Sequence, residues 1–397
     1  MLRKTRFVCV SDTHGYTPSE AGFKLPTGDV LIHAGDLTNN GSLRELRKTM
    51  DWICNADFEI KIIVAGNHDV TLDPTFYAEH GRSFHSQSIE DPQQCLKLIS
   101  ESPSVVLLQH ESAVIRLTRA GGPNTIFKVF GSPHSQFKGD WAFGYDSSDA
   151  TRLWSQIPLD TDVVVTHTPP QSHCDQKPNG TSVGCSALRK TLSLIRPHLA
   201  ICGHVHEGRG YERVHWQATL TDTEQDIETE TQTETETNAV DHVTRGQLPP
   251  MDSKKQSLID LTSKRNERLA NEGFSWPGHG HGHPHPAHEI SNDETMSSAS
   301  PKSSAGVDPE KASPRNSPNA PSLSASSPSP SLRTSTSIST SGTIGRLDHA
   351  LRTLRMETCI VNAAVVATSF PHRGGKRFNS PIVVDLELPV WQDSANG

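Results

Sequence analysis

Apolar residues are scarce in this chain. Only 33% of its 397 residues are hydrophobic and the mean hydropathy is negative. Length alone would allow two average domains, but this composition cannot fill that much core, so a sizeable part is expected to stay unfolded. Long apolar runs are missing too. Nothing approaches the ~18 consecutive apolar residues of a membrane span, and the apolar stretch in "MLRKTRFVCVSDTHG" is too short for a signal-peptide core. The seven cysteines (9, 54, 95, 174, 185, 202 and 359) are scattered, odd in number and never spaced Cys-x-x-Cys. Neither a disulfide framework nor a zinc–thiolate site is therefore indicated. Excess positive charge is also lacking. A net charge of -8 gives no reason to expect a nucleic-acid polymer or an anionic membrane as partner. The default expectation is a soluble protein of a reducing, cytoplasmic compartment.

What is present is concentrated at the two ends of the chain. From Met1 to about Leu220, short β-branched runs ("RFVCVSD", "DVLIHAGD", "KIIVAGNHD", "SVVLLQHE", "FKVFGSP", "DVVVTHTPP", "HLAICGHVH") alternate with amphipathic stretches. "SLRELRKTMDWICNAD" spaces Leu43, Leu46, Met50 and Ile53 as a helix, with Ser42 as N-cap. "GCSALRKTLSLIRPH" does the same with Leu188, Leu192 and Ile195, and Pro197 ends it. This alternation predicts a layered α/β domain.

Residues 221–345 read differently. A Thr/Glu tract is followed by the charged "SKKQSLIDLTSKRNERLANEGF", read as helical if ordered, then by "PGHGHGHPHPAHE" and a Ser/Pro-rich stretch. The segment is expected to be mostly disordered, because it cannot bury enough apolar surface to offset chain entropy. Strand-like runs return in 346–397 as "METCIVNAAVVA" and "SPIVVDLELPVW"; the second has the Val383/Asp385/Glu387 alternation of a half-exposed strand. Too short to stand alone, they are expected to complete the domain begun by 1–220. The middle segment is then an insertion between "YERVHWQ" and "TCIVNAA".

Five strand ends carry oxygen or nitrogen donors: Asp12-Thr13-His14, Gly35-Asp36, Gly66-Asn67-His68-Asp69, His167, and Gly203-His204-Val205-His206. Each piece alone is common in loops. All five in order, each directly after an apolar run, point to one site for divalent metal.

The order D-x-H, G-D, G-N-H-D, H, G-H-x-H resembles the signature of the calcineurin-like metallophosphoesterases. "FGSPHSQFKGDWAFGYD", "VVVTHTPPQSHCD" and "ICGHVHEGRG" are similar to the branch of metallophosphoesterase-domain-containing proteins, described as metal-dependent phosphodiesterases of cyclic nucleotides. The resemblance covers roughly 6–220 and resumes at 357–390. It implies a four-layer αββα sandwich of two mixed sheets flanked by helices, interrupted by the long disordered insertion. It also implies two divalent ions, manganese first and iron or zinc as alternatives. Asp12, His14 and His206 would hold one ion and Asn67, His167 and His204 the other, with Asp36 bridging. A metal-bridging hydroxide would attack a small phosphoester, and His68 would protonate the leaving group. Asp69 either orients His68 or caps the following turn.

One departure matters. Serine/threonine phosphatases of this superfamily carry an acidic residue and an arginine after the Gly-Asp block, where this chain has Asn39 and Asn40. A phosphoprotein substrate therefore loses support. The alternatives are a phosphomonoesterase of the same fold, or a metal-binding scaffold that recruits protein partners through the insertion. His134, His173 and Asp175 are either pocket residues or plain loop residues. His279, His281, His283, His285 and His288 have no core beside them to fix a geometry, and the Ser-Pro sites of the insertion resemble those of any Ser/Pro-rich linker.

Overall fold

The side chains of Leu2–Val10 (β1) alternate between two cores: Phe7 and Cys9 pack into one, Val8 and Val10 into the other. The same division runs through β2 (Val30–Ala34) and β3 (Ile60–Val64). These strands are covered on both faces, which is why they read as unbroken apolar runs.

The computed structural model describes residues 1–136, 139–217, 241–251, 253, 255–263, 268–271, 288–289, 355–372 and 375–391. The remaining elements are α1 (Leu43–Asn55), α2 (Pro74–Phe84), α3 (Pro92–Ser100), β4 (Val105–Leu107), β5 (Glu111–Arg116), β6 (Ile126–Ser132), β7 (Ser135–Gln136), β8 (Gly144–Tyr145), α4 (Ala150–Trp154), β9 (Val163–Thr166), α5 (Ser186–Ile195), β10 (Leu199–Cys202), β11 (Gly210–His215), β12 (His242–Arg245), β13 (Ser257–Leu261), β14 (His288–Glu289), β15 (Glu357–Asn362) and β16 (Ile382–Pro389). A six-stranded sheet has the order β13-β16-β1-β2-β3-β4, and an eight-stranded sheet the order β12-β11-β15-β10-β9-β6-β5-β14; β7 and β8 form a small pair apart. Both large sheets are mixed, since β1 runs antiparallel to β16 but parallel to β2, and β15 antiparallel to β11 but parallel to β10.

Three apolar clusters define four layers. Between the sheets, Phe7, Ile32 and Ile62 meet Phe127, Val163, Ile201 and Val361. Outside the first sheet, Val8, Leu31 and Ile63 meet Leu46, Met50 and Ile53 of α1 and Cys95 and Ile99 of α3. Outside the second, Val164, Ala200 and Ile360 meet Trp154 of α4 and Leu188, Leu192 and Ile195 of α5. The expected αββα sandwich is the observed one. Helix α1 starts at Ser42 as expected, in a capping box with Glu45. Among the described residues, no helix is long and apolar enough to cross a membrane.

Two expectations change. The charged stretch read as helical contains strand β13, in which Ser257, Ile259 and Leu261 are buried in alternation. It pairs with β16, and that pairing overrides local propensity. Strand β16 is consequently not half-exposed: it lies between β13 and β1, and Asp385 is buried against Arg6, with Nε 2.6 Å and Nη2 2.7 Å from its carboxylate. The 221–345 segment thus contributes β12 and β14 to the eight-stranded sheet and β13 to the other. The Thr/Glu tract, the Ser/Pro-rich stretch and four of the clustered histidines (279, 281, 283 and 285) lie outside the described residues.

Truncating a buried isoleucine removes about 2–5 kcal/mol. Ile259→Ala is therefore expected to lower the urea midpoint of the whole domain by that equivalent. An unchanged midpoint would mean that β13 is only an appendage.

Candidate metal centre

Strands β1, β2 and β3 are parallel neighbours in one sheet, and β9 and β10 are parallel neighbours in the other. Their C-terminal ends therefore emerge along one edge of the sandwich, where α/β sheets assemble their sites. Asp12 and His14 follow β1, Asp36 follows β2, and Asn67 and His68 follow β3. His167 follows β9, and His204 and His206 follow β10.

All seven expected ligand positions meet there. His206 Nε2 lies 3.3 Å from Asp12 Oδ1 and 3.2 Å from His14 Nε2. His204 Nδ1 lies 2.9 Å from Asn67 Oδ1 and 3.2 Å from His167 Nε2, which is itself 3.0 Å from Asn67 Oδ1. Asp36 sits between these halves, Oδ2 3.7 Å from His14 Nε2 and Oδ1 3.4 Å from His167 Nε2.

The backbone is bent to deliver these groups. Asp12, His14, Asp36 and His204 all have φ between 45° and 64°, a region that costs a non-glycine residue about 1–3 kcal/mol. Four such residues persist only because their surroundings hold them. A Cβ on Gly66 would overlap Asp36 Oδ1, and one on Gly203 would overlap Ser11 Oγ and Asp12 Oδ2. Asn362, at the end of β15, donates Nδ2 to the carbonyls of Val205 at 2.8 Å and Cys174 at 2.9 Å, bracing the loop that carries both terminal histidines. The Thr368 carbonyl faces His206 Nδ1 at 3.1 Å, and the Ala34 carbonyl faces His167 Nδ1 at 2.9 Å. With those Nδ1–H groups donated outward, the Nε2 lone pairs of both rings point into the cluster.

Lone pairs converging at 2.9–3.2 Å without enough protons between them call for cations. The ionisation pattern agrees. Burial alone would raise both carboxyls, but the hydrogen bond and charge of His206 hold Asp12 below the usual range. His167, His68 and His14 hold Asp36 well below it. Burial also opposes charge on the rings, yet Asp36 and Asp12 lift His167 to about 9, and Asp12 lifts His206 to about 9. At His14 and His204 burial prevails, and both fall to about 3. Protons on two rings thus supply positive charge that divalent ions would replace. The donor set fits such ions.

His68 is half-buried at the rim. Its backbone N–H donates to Asp36 Oδ1 at 2.9 Å, and its Nδ1 lies 2.7 Å from the Asn39 carbonyl. Its ring lies against Trp141, centroids 4.0 Å apart, and meets His14 edge-on at 4.7 Å. Asp69 neither orients His68 nor caps a turn with its side chain. It accepts from the backbone N–H groups of Gly66, Leu37 and Thr38 at 2.8–3.1 Å and from the Thr38 hydroxyl at 2.7 Å, tying the β2 and β3 loops together. Burial and the nearby Asp36 carboxylate push Asp69 up to about 6.

The other candidates serve loops. His173 Nδ1 pairs with Glu212 at 2.8 Å, His134 Nδ1 faces the Phe143 carbonyl at 3.2 Å, and Asp175 gathers Ser172, Ser182 and Gly184. Asn39 and Thr368 act through backbone carbonyls, which carry no sequence signal. Asn362 does carry one, a polar residue closing an apolar strand.

The model of the calcineurin-like phosphoesterases matches residues 5–208, just over half of the chain. The chain belongs to that family. Human metallophosphoesterase domain-containing protein 1 is 35% identical over 213 residues, covering 52% of this chain and 62% of that protein. A UPF0046 protein of Caenorhabditis elegans is 32% identical over 213 residues, covering 52% of this chain and 70% of the relative. A probable rhamnogalacturonate lyase C of Emericella nidulans is 39% identical over 213 residues, 53% of this chain but 18% of that protein. The chain thus spans less than two thirds of the first and last of these, and the lyase activity in that name is not carried over. The relatives place this calcineurin-like phosphoesterase in the metallophosphoesterase-domain-containing branch.

Three outcomes follow for this phosphoesterase. A group raised on folding stabilises fully below its unfolded pKa of about 6.5 and stops doing so as pH rises through its folded value. Metal-free protein should therefore lose thermal stability between pH 6.5 and about 9, as His167 and His206 give up their protons. Mn²⁺ should raise Tm more at pH 9 than at pH 6.5, because fewer protons then compete for the donors; equal increments would argue against binding at these rings. Gly203→Ala should fold yet lose bound metal, read by elemental analysis after dialysis.

Proposed function

We propose that the chain is a two-metal phosphodiesterase of small phosphoesters, with cyclic nucleotides the first class to test. The supporting observation is the position of Asp36, between a half made by Asp12, His14 and His206 and a half made by Asn67, His167 and His204. Those triads would each hold one divalent ion, with Asp36 shared; manganese is the first expectation, iron or zinc the alternatives. When bound, such a pair supplies a nucleophile at neutral pH and neutralises phosphoryl charge.

The chain's own groups do the rest. The Asn39 carbonyl accepts Nδ1–H of His68, which leaves Nε2 as the atom that hands a proton to the leaving oxygen. Trp141 and the bond from His68 N–H to Asp36 fix where that atom sits. Asp69 keeps the two loops carrying Asp36 and His68 in register. Asn39 and Asn40 stand where the phosphoprotein phosphatases of the superfamily have their acid and arginine, which favours a small substrate. The full donor set speaks against a scaffold that has lost its chemistry. The seven cysteines are all free, which supports a reducing cytoplasmic location.

Hydrolysis of bis(p-nitrophenyl) phosphate by metal-stripped protein should appear on adding Mn²⁺ and vanish in Asp36→Asn. His68→Gln should lower kcat by about 10²- to 10⁴-fold with metal content unchanged; loss of metal instead would make His68 a ligand. Faster turnover of p-nitrophenyl phosphate than of the diester would make the enzyme a monoesterase.

A further inference from the structure

A cleft of about 540 Å³ opens beside the metal centre, bounded by His14, Tyr16, Asn39, Arg44, Glu45, Lys48 and Lys376. Two of these fix its place relative to the chemistry. His14 belongs to the donor cluster, and the Asn39 carbonyl holds His68. The cleft therefore lies on the side of the leaving group that His68 would protonate, a placement that rests on the reading above.

Its charge is unlike that of the chain as a whole. Among the described residues Glu45 is its one carboxylate, and that group is already engaged by the backbone N–H groups of Asn39, Asn40 and Ser42 at 3.3 Å and by the Ser42 hydroxyl at 2.8 Å. Lys48 is paired with Glu20 at 2.7 Å. Arg44 and Lys376 are exposed, and neither is paired with a described carboxylate. Lys376 Nζ is held 4.7 Å above the Tyr16 ring, whose position Phe378 fixes from a centroid distance of 4.9 Å. Two cations without a described carboxylate partner lining one cleft, in a chain of net charge -8, make a local field that selects anions.

We infer that the leaving arm of the preferred phosphodiester carries a second anionic group, a phosphate or a carboxylate, seated between Arg44 and Lys376. Arg44 presents a planar fork suited to such an oxyanion, and Lys376, far away in sequence, adds a point charge. Hydrolysis adds hydroxide to the reacting phosphorus, breaks its bond to the leaving oxygen and returns a proton to that oxygen, so the anionic arm departs as an alcohol.

The test compares the dithymidine monophosphate TpT with its 5′-phosphorylated form pTpT, using metal-loaded protein, with products resolved by chromatography. The inference expects pTpT to have a kcat/KM about five- to tenfold higher than TpT, from two exposed charge pairs. It also expects cleavage to thymidine 5′-phosphate alone, because the phosphorylated nucleoside leaves through its 3′ oxygen. Arg44→Ala and Lys376→Ala should each shrink that preference. Titration calorimetry on metal-free protein should show the same preference for pTpT, lost in Arg44→Ala. Equal rates and affinities, products pTp and thymidine, or no cleavage of either dinucleotide while bis(p-nitrophenyl) phosphate is hydrolysed would each overturn the inference. No hydrolysis of any diester, the simple one included, would instead overturn the phosphodiesterase reading; the calorimetric comparison then still decides whether the cleft binds a second anion.

Discussion

Two carboxylates, Asp12 and Asp36, are almost wholly buried at one edge of the sandwich, and among the described residues no lysine or arginine pairs with either. A buried carboxylate needs compensating positive charge. Here the compensation comes from imidazoles, which can hold protons or yield their lone pairs to a cation. That requirement organises the site. It makes His167 and His206 basic, leaves His14 and His204 neutral, and accounts for the ring orientations set by the Ala34 and Thr368 carbonyls.

Holding such a cluster together is a structural problem before it is a chemical one. Acceptors facing acceptors repel, and four of the residues sit in left-handed backbone. The restraint comes from outside the donors. Asp69 binds three backbone N–H groups across two loops, and Asn362 donates to the carbonyls of Cys174 and of Val205, which lies between the terminal histidines. Glycines 66 and 203 leave room for the Asp36 and Asp12 carboxylates, which a Cβ at either position would overlap. Charge and strain are thus carried by a rigid edge made from two sheets, as a preorganised site requires.

The fold and the donors were legible for the same reason. In parallel strands buried on both faces, apolar runs stand out, and whatever polar residue ends each run must lie at the common edge. Asp12, Asp36, Asn67, His167 and His204 are all placed by that rule. Asn362 obeys it too, at the end of "TCIVN", but bonds through a side-chain amide to backbone and so resembles an ordinary strand terminus. What the rule cannot reach is the backbone itself: the Asn39 and Thr368 carbonyls aim His68 and His206 whatever side chain those positions bear. Strand β13 was hidden for a different reason. Its five residues lie in a charged, low-apolar stretch, and only pairing with β16, far away in sequence, makes the alternation of Ser257, Ile259 and Leu261 meaningful.

The place where the chain is interrupted follows from register. Strands β11 and β15 pair from Gly210 opposite Asn362 to His215 opposite Glu357. The Asn362 end braces the metal centre, so the His215 end, where the long connection leaves, lies about 17 Å away along the strand. Closing a longer loop adds little entropy per added residue, and β12 then runs back beside β11 until Gly246 donates to the Tyr211 carbonyl. The returning chain is nevertheless fastened at the same far end. Asn271 binds the Met356 and Glu357 backbone at 2.8 and 2.9 Å, and Arg355 reaches Asp162 at 2.5 Å beneath β9. Those bonds set where β15 begins, and β15 in turn carries Asn362 to the site. The connection is therefore coupled to the chemistry through β15, whose two ends answer to the two problems of closing the chain and bracing the metal ligands.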